Sequence, residues 1–301
     1  MSDHASDRAM LAIALRLCSA AAFAAMGATI KLAEAHGAHL AETMFFRQTF
    51  ALVPVTAFIA AGPGLASIRT DRIGAHALRT AMGLVSMCFV LGTIMLLPLA
   101  ESTTLQFTLP IWATILGAVV LREPVGWHRW AAVALGFTGV LIITQPGAGM
   151  ASWGIATGLI GALLSASVSI LLRQIGKTEA AATTVFWFSA LSVPPTAIGF
   201  ALTATAHPPL TWALLVMVGV IGGIAQLLMT AALKLAPVSL VVPMDYTGLV
   251  WATLFGYLAF GVLPSWATWA GAPFVIASGL YIVWREQLRA RTRTDGAIAT
   301  S

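Results

Sequence analysis

The chain divides into ten apolar runs, at residues 10–31, 41–61, 76–97, 101–121, 126–144, 153–174, 181–203, 211–234, 237–259 and 266–286. A bilayer core of about 30 Å needs about 20 residues of α-helix to cross it. Lipid offers no partner to a bare backbone N–H or C=O, so runs this long and continuous are expected to span as helices. A membrane β-barrel would show short alternating segments instead. Connections such as QPGAGMAS and TATAHPPL are short, which favours a compact bundle of neighbouring helices. Composition excludes a large soluble core. Of 301 residues 9% are charged and 59% hydrophobic, against about 25% charged in a soluble domain. The first run resembles the core of a leader peptide, but nine equally apolar runs follow, so it is read as the first span.

The basic residues test this map. With both termini cytoplasmic, Arg8 and Arg16 fall at the N-terminal end, and Arg69, Arg72 and Arg79 between spans two and three. Arg122 and Arg129 fall between four and five, Arg173 and Lys177 between six and seven, and Lys234 between eight and nine. Arg285, Arg289, Arg291 and Arg293 follow span ten. Fourteen of the 16 thus lie on one side, the asymmetry expected of cytoplasmic loops. It places the protein in the cell inner membrane with both termini inside. The two exceptions are Lys31 and Arg47. The same scatter leaves no dense basic patch with interleaved aromatics, so nucleic acid is not an expected partner.

The two halves of the chain repeat each other. WATILG at 112–117 returns as WATLFG at 251–256, an offset of 139 that also carries Trp127 onto Trp266, Trp130 onto Trp269 and Ala131 onto Ala270. LPLAES (97–102) resembles LKLAPVS (233–239), and VPVTA (53–57) echoes VPPTA (193–197). Five spans per half is an odd number, so the second copy enters the membrane from the opposite face. Inverted repeats recur in secondary transporters, whose site lies near the midplane where the copies meet. The expected architecture is all-α, with ten transmembrane helices as two inverted five-helix repeats. They would occupy residues 10–145 and 146–286, with a short cytoplasmic tail at 1–9 and a basic one at 287–301.

The stretch LPLAESTTLQFTLPIWATILGAVVLREPVGWHRWAAVALGFTGVLII (97–143) resembles the end of an EamA-type domain, found widely in the drug/metabolite transporter superfamily. The acidic residue before proline (Glu123, Pro124) fits that pattern, as do the glycine-punctuated span after it and the arginine of MFFRQ. Two tandem copies cover nearly the whole chain. The resemblance implies ten helices and transport, often export, of small metabolites. The second copy departs from the pattern at Val262, which stands where Glu123 would be. The motif speaks to architecture and leaves cargo open, since members share a fold and differ in what they carry.

Few polar groups fall inside the runs. Arg47 lies among apolar and aromatic residues in span two, where a central arginine costs about 2.5–3.5 kcal/mol on insertion scales. Two readings stay open: it reaches out to the interface or a structural ion pair, or it lines a wet cavity and holds an anionic group of the cargo. Gln48 and Gln106 would add neutral hydrogen bonds. Lys31 ends span one, either complementing the helix C-terminus or facing the cavity. Asp245 lies near mid-membrane in span nine, and the offset of 139 aligns it with Gln106. It is a candidate proton-coupling group, a partner for a basic residue such as Arg47, or a locally solvated carboxylate. Trp112, Trp187 and Trp251 fall well inside spans, as packing residues or, with Tyr246, as an aromatic cavity wall. The other seven tryptophans fall near span ends as interface anchors.

No catalytic residues, metal site or cofactor are expected. Glu34, His36, His39 and Glu42 read as a solvated loop, and Cys18 and Cys88 as apolar filler. Nucleophile elbows, zinc-protease motifs and phosphate-binding loops are absent from the sequence. The expected function is a non-ATP transporter of a small organic metabolite working by alternating access, with a lean to anionic or zwitterionic cargo. A lipid flippase or an intramembrane enzyme is the alternative. The lipid bilayer and the cargo are the expected partners, and the chain is expected to act as a monomer or homodimer.

Overall fold

A computed structural model describes residues 2–120, 122, 125–145, 152–176, 178–236 and 238–298, and these are all helix or connection, with no strand among them. Glu123 and Pro124, the acidic motif of the first copy, lie outside the described residues. The helices are α1 (Ser2–Ala35), α2 (Leu40–Ala61), α3 (Ile73–Leu96), α4 (Leu99–Gln106), α5 (Leu109–Val119) and α6 (Trp127–Thr144). They continue as α7 (Ser152–Ile175), α8 (Ala181–Thr203), α9 (Pro209–Leu235), α10 (Val238–Val241), α11 (Gly248–Phe260) and α12 (Trp266–Ile298). A 3₁₀ turn, Leu65–Ile68, precedes α3, and another, Val242–Thr247, joins α10 to α11.

Seven of these, α1, α2, α3, α7, α8, α9 and α12, are long and apolar enough to cross a bilayer. The apolar run 126–144 is the single helix α6. The runs 101–121 and 237–259, which hydropathy reads as unbroken spans, are each interrupted. The first breaks at Phe107–Thr108, ahead of Pro110, and the second passes through the 3₁₀ turn containing Pro243. Proline removes a backbone donor and clashes with the preceding turn, so each helix stops and restarts.

The duplication is visible in this layout. Helices α4, α5 and α6 start at 99, 109 and 127, and α10, α11 and α12 start at 238, 248 and 266, each pair 139 residues apart. Packing follows the same two-fold pattern. Helix α1 of the first half lies along α9 of the second, and α7 lies reciprocally along α3; α2 meets its counterpart α8, and α6 meets α12. The α6–α12 contact is close because of two glycines. A Cβ on Gly139 would stand 2.8 Å from the Gly271 carbonyl oxygen, and one on Gly271 would stand 2.6 Å from that of Gly139. Small residues at such crossings let backbones approach, which is how helices pack in lipid. On the α2–α9 contact, a Cβ on Gly223 would meet the Pro54 ring at 2.5 Å. The internal proline of α2 thus packs into a gap left by glycine.

The outside of the bundle is apolar. Val53, Val85, Ile198 and Leu202 are exposed, as are Trp127, Trp153 and Trp266 near helix ends. An apolar surface of this extent suits acyl chains, with tryptophans at the headgroup level. Trp212 differs from these, packing against Phe46 and His207.

Candidate functional site

A cavity of 310 Å³ lies where α1, α3 and both interrupted helices meet. Each interruption delivers polar groups to it. The end of α4 presents Ser102, Thr103 and Gln106, and the 3₁₀ turn before α11 presents Asp245. Asp245 receives two side-chain hydrogen bonds, from Arg16 Nε and Nη2 of α1. The Arg16 side chain is 10% exposed and that of Asp245 35%, so the pair is held by the bundle on one side and open to the cavity on the other. Phe23 and Phe107 supply the aromatic wall. The amide nitrogen of Gln106 is buried without a partner, a free donor at the cavity. The cavity therefore offers a donor, an ion pair that can answer both acceptor and donor groups, and two aromatic faces, in an otherwise apolar pocket. Ligand sites are commonly built this way.

The sequence candidates distribute unevenly. Gln106 and Asp245 share the cavity, as their common offset suggests. The basic partner of Asp245 is Arg16 rather than Arg47. Arg16 was counted among the interfacial charges; its position inside the run 10–31 is the sequence signal that marks it as a span residue. Tyr246 turns away from the cavity, its ring edge-on to Phe107 at 4.9 Å between centroids and its hydroxyl over Gly279. The three inner tryptophans do not line the cavity. Trp112 packs edge-on to Phe137, and Trp251 stacks on Phe255. Trp187 donates to the Ile68 carbonyl at 2.8 Å, fastening α8 to the turn before α3.

Arg47 and Gln48 stand apart, in a pocket among α2, α3, α8 and α9. Arg47 points inward rather than to the interface. Its Nη1 donates to Gln48 Oε1 at 2.9 Å and to Met87 Sδ at 3.0 Å. Lys31 does not complete its own helix. Its Nζ donates to the carbonyl oxygens of Ile94, Met95 and Leu97 at 3.4, 3.2 and 3.0 Å, capping the end of α3 beside a smaller cavity. Glu42 is not a solvated loop residue. It is fully buried, accepting from the Thr205 N–H and contacting His207 Nε2 at 2.9 Å. Glu101 is likewise buried, its Oε1 accepting from the Ser265 N–H and the Thr268 hydroxyl, both at 3.0 Å, at the start of α12. Among the described residues no cluster of His, Cys, Asp and Glu could hold a metal ion.

The fold and its surface define a multi-pass helical membrane protein built as a tandem duplication, with a cavity where interrupted helices of both halves meet. The sequence pattern of the EamA-like transporter family matches residues 10–145 and 152–284, one copy per half. A riboflavin transporter of Rhizobium johnstonii is 30% identical over 76% of this chain and 76% of its own. A riboflavin transporter of Vibrio cholerae is 30% identical over 75% and 76%. An S-adenosylmethionine uptake transporter of Rickettsia bellii is 25% identical over 83% and 85%. A solved crystal structure superposes with a TM-score of 0.60 over 92% of this chain and 97% of that one, at 20% identity, which shows a shared fold. The chain belongs to the EamA-like transporter family.

Proposed function

We propose that this protein is a secondary transporter that carries a small, partly aromatic organic metabolite across the inner membrane by alternating access, with ten spans and both termini cytoplasmic. The observation that carries the reading is the 310 Å³ cavity between the halves, reached by the interrupted helices of both and crossed by the Arg16–Asp245 pair. Interrupted helices at a repeat interface are where secondary transporters place substrate.

The cavity favours a cargo with a flat ring system and a few polar edges. Phe23 and Phe107 would stack on such a ring, and the free Gln106 amide would meet an acceptor. The ion pair suits a zwitterion or a heterocycle with adjacent donors and acceptors better than a bare anion, because Asp245 already answers Arg16. Relatives named for riboflavin and S-adenosylmethionine carry cargo of this general description. Asp245 is the proposed coupling group. Protonation would release Arg16 to the cargo, and deprotonation would take it back.

Purified protein in proteoliposomes should take up labelled riboflavin or S-adenosylmethionine saturably, and a proton gradient should change the rate. Asp245→Asn should remove the gradient dependence. Uptake of both compounds no faster than in protein-free liposomes would count against this cargo class. An unchanged gradient response in Asp245→Asn would sink the coupling role.

A further inference from the structure

The pocket that holds Arg47 also holds Arg79 of α3, a second guanidinium inside the bundle. Arg79 is 8% exposed and Gln48 1%. Both guanidinium groups belong to this one pocket, and none of the described residues lining it is acidic. The polar atoms left without partners there are donors: Arg47 Nε, Gln48 Nε2, and Arg79 Nε and Nη1. The Arg79 guanidinium lies over the Phe188 ring at 3.7 Å from its centroid, so its face is covered while these edge donors stay free. Gly83 keeps that place open, since a Cβ there would stand 2.8 Å from the Phe188 ring and 3.0 Å from Arg79 Nη1.

Two like charges inside the bundle, Arg79 buried and Arg47 half-buried, with unpartnered donors and one small void between their helices, are a costly arrangement unless something negative joins them. We propose that this pocket is a binding site for one compact monovalent anion, separate from the central cavity. The void is 20 Å³, and a water-sized occupant needs about 10–15 Å³. It has room for a single halide or the oxygens of one small carboxylate, and none for a whole metabolite. Met26 lines the central cavity and lies against Gly222, which lines this pocket, so α1 forms the wall between the two. The anion would also bridge the halves, with Arg47, Gln48 and Arg79 on one side and Ser189 and Gln226 on the other.

The test is an anion titration of the purified full-length protein at constant ionic strength. Chloride, acetate and the bulky anion gluconate are exchanged while Tm is followed. The expected result is a saturable rise in Tm with chloride or acetate over gluconate. A response to chloride identifies a free halide as the occupant, and a response to acetate alone identifies a carboxylate. Arg47→Gln and Arg79→Gln should each flatten the response, and in gluconate each should melt no lower than the parent protein, because each removes an uncompensated charge. Superposed chloride, acetate and gluconate curves for the parent protein would overturn the site. So would variants that keep the full anion response. Should neither variant purify, the parent titration still decides. None of these readouts involves transport, so the outcome is independent of the cargo assignment.

Discussion

The Arg16–Asp245 pair makes a quantitative prediction. Replacing Asp245 with Asn keeps the side-chain shape and leaves Arg16 without its counter-charge. Removing one partner from a fully buried ion pair costs about 3–5 kcal/mol. Here the Arg16 side chain is 10% exposed but Asp245 is 35% exposed to the cavity, so water partly replaces the lost carboxylate. The hydrogen bonds at stake involve charged groups, each about 1.5–3 kcal/mol. Allowing for screening at the open side, a loss of about 2 kcal/mol is expected for Asp245→Asn, and a similar loss for Arg16→Gln. The double variant has no stranded charge and should be more stable than the two single losses added together predict, with a coupling energy of about 1–2 kcal/mol. The assay is unfolding in detergent followed by circular dichroism for the parent and three variants. A coupling energy under about 0.5 kcal/mol, the usual additivity error for independent sites, would refute a formed pair.

Three further substitutions test the packing of the bundle. Gly279→Ala would place a methyl 1.9 Å from the Tyr246 hydroxyl and should destabilise by about 1–3 kcal/mol. The matched Gly92→Ala in α3, with nothing within 4 Å, should be neutral or stabilising by about 0.5–1 kcal/mol, and thermal unfolding of the pair checks both. Glu101→Ala removes the acceptor of the Ser265 N–H and the Thr268 hydroxyl; it should cost about 2 kcal/mol and speed hydrogen exchange at the first amides of α12.

Each of the ten apolar runs coincides with a helix or an interrupted pair of helices, because an apolar run long enough to span has few other fates. Hydropathy missed the two interruptions because breaking a helix at Phe107–Thr108 or at Val242–Thr247 leaves the run just as apolar. Pro110 and Pro243 were the available signals. The same limit applies at the site. Asp245 and Gln106 were legible because the repeat aligned them and because polar groups are conspicuous in mid-span. Arg16 and Arg79 were absorbed into the cytoplasmic count, since a charge a turn or two from a helix end looks the same as one in a loop. Side-chain direction decides between these readings, and direction depends on which neighbour a helix meets. Trp112 and Trp251 show the converse. They hold matching places on α5 and α11, yet Trp112 packs against Phe137 and Trp251 against Phe255, away from the cavity.

The contacts between the halves differ at the two ends of the bundle. At the end where α2, α4, α9 and α12 begin, two buried glutamates of the first half grip loops of the second: Glu42 holds Thr205 and His207, and Glu101 holds Ser265 and Thr268. Glu42 is fully buried and Glu101 3% exposed. At the opposite end the links are more numerous: Thr183 and Trp187 of α8 donate to the Ser67 and Ile68 carbonyls, both at 2.8 Å. Thr70 donates to Glu179 at 2.7 Å, Arg72 donates to Thr178 at 2.8 Å in an exposed position, and His76 stands 3.9 Å from Glu179. An alternating-access cycle must break one set while the other holds. Hydrogen bonds to a buried carboxylate cost more to abandon than exposed ones that water replaces at once. In the proposed orientation the outer end is therefore held by two buried carboxylates, and the cytoplasmic end by several bonds of which Arg72–Thr178 is the one open to water. The Arg16–Asp245 pair would lie between the two sets of contacts, positioned to respond to whichever side is open.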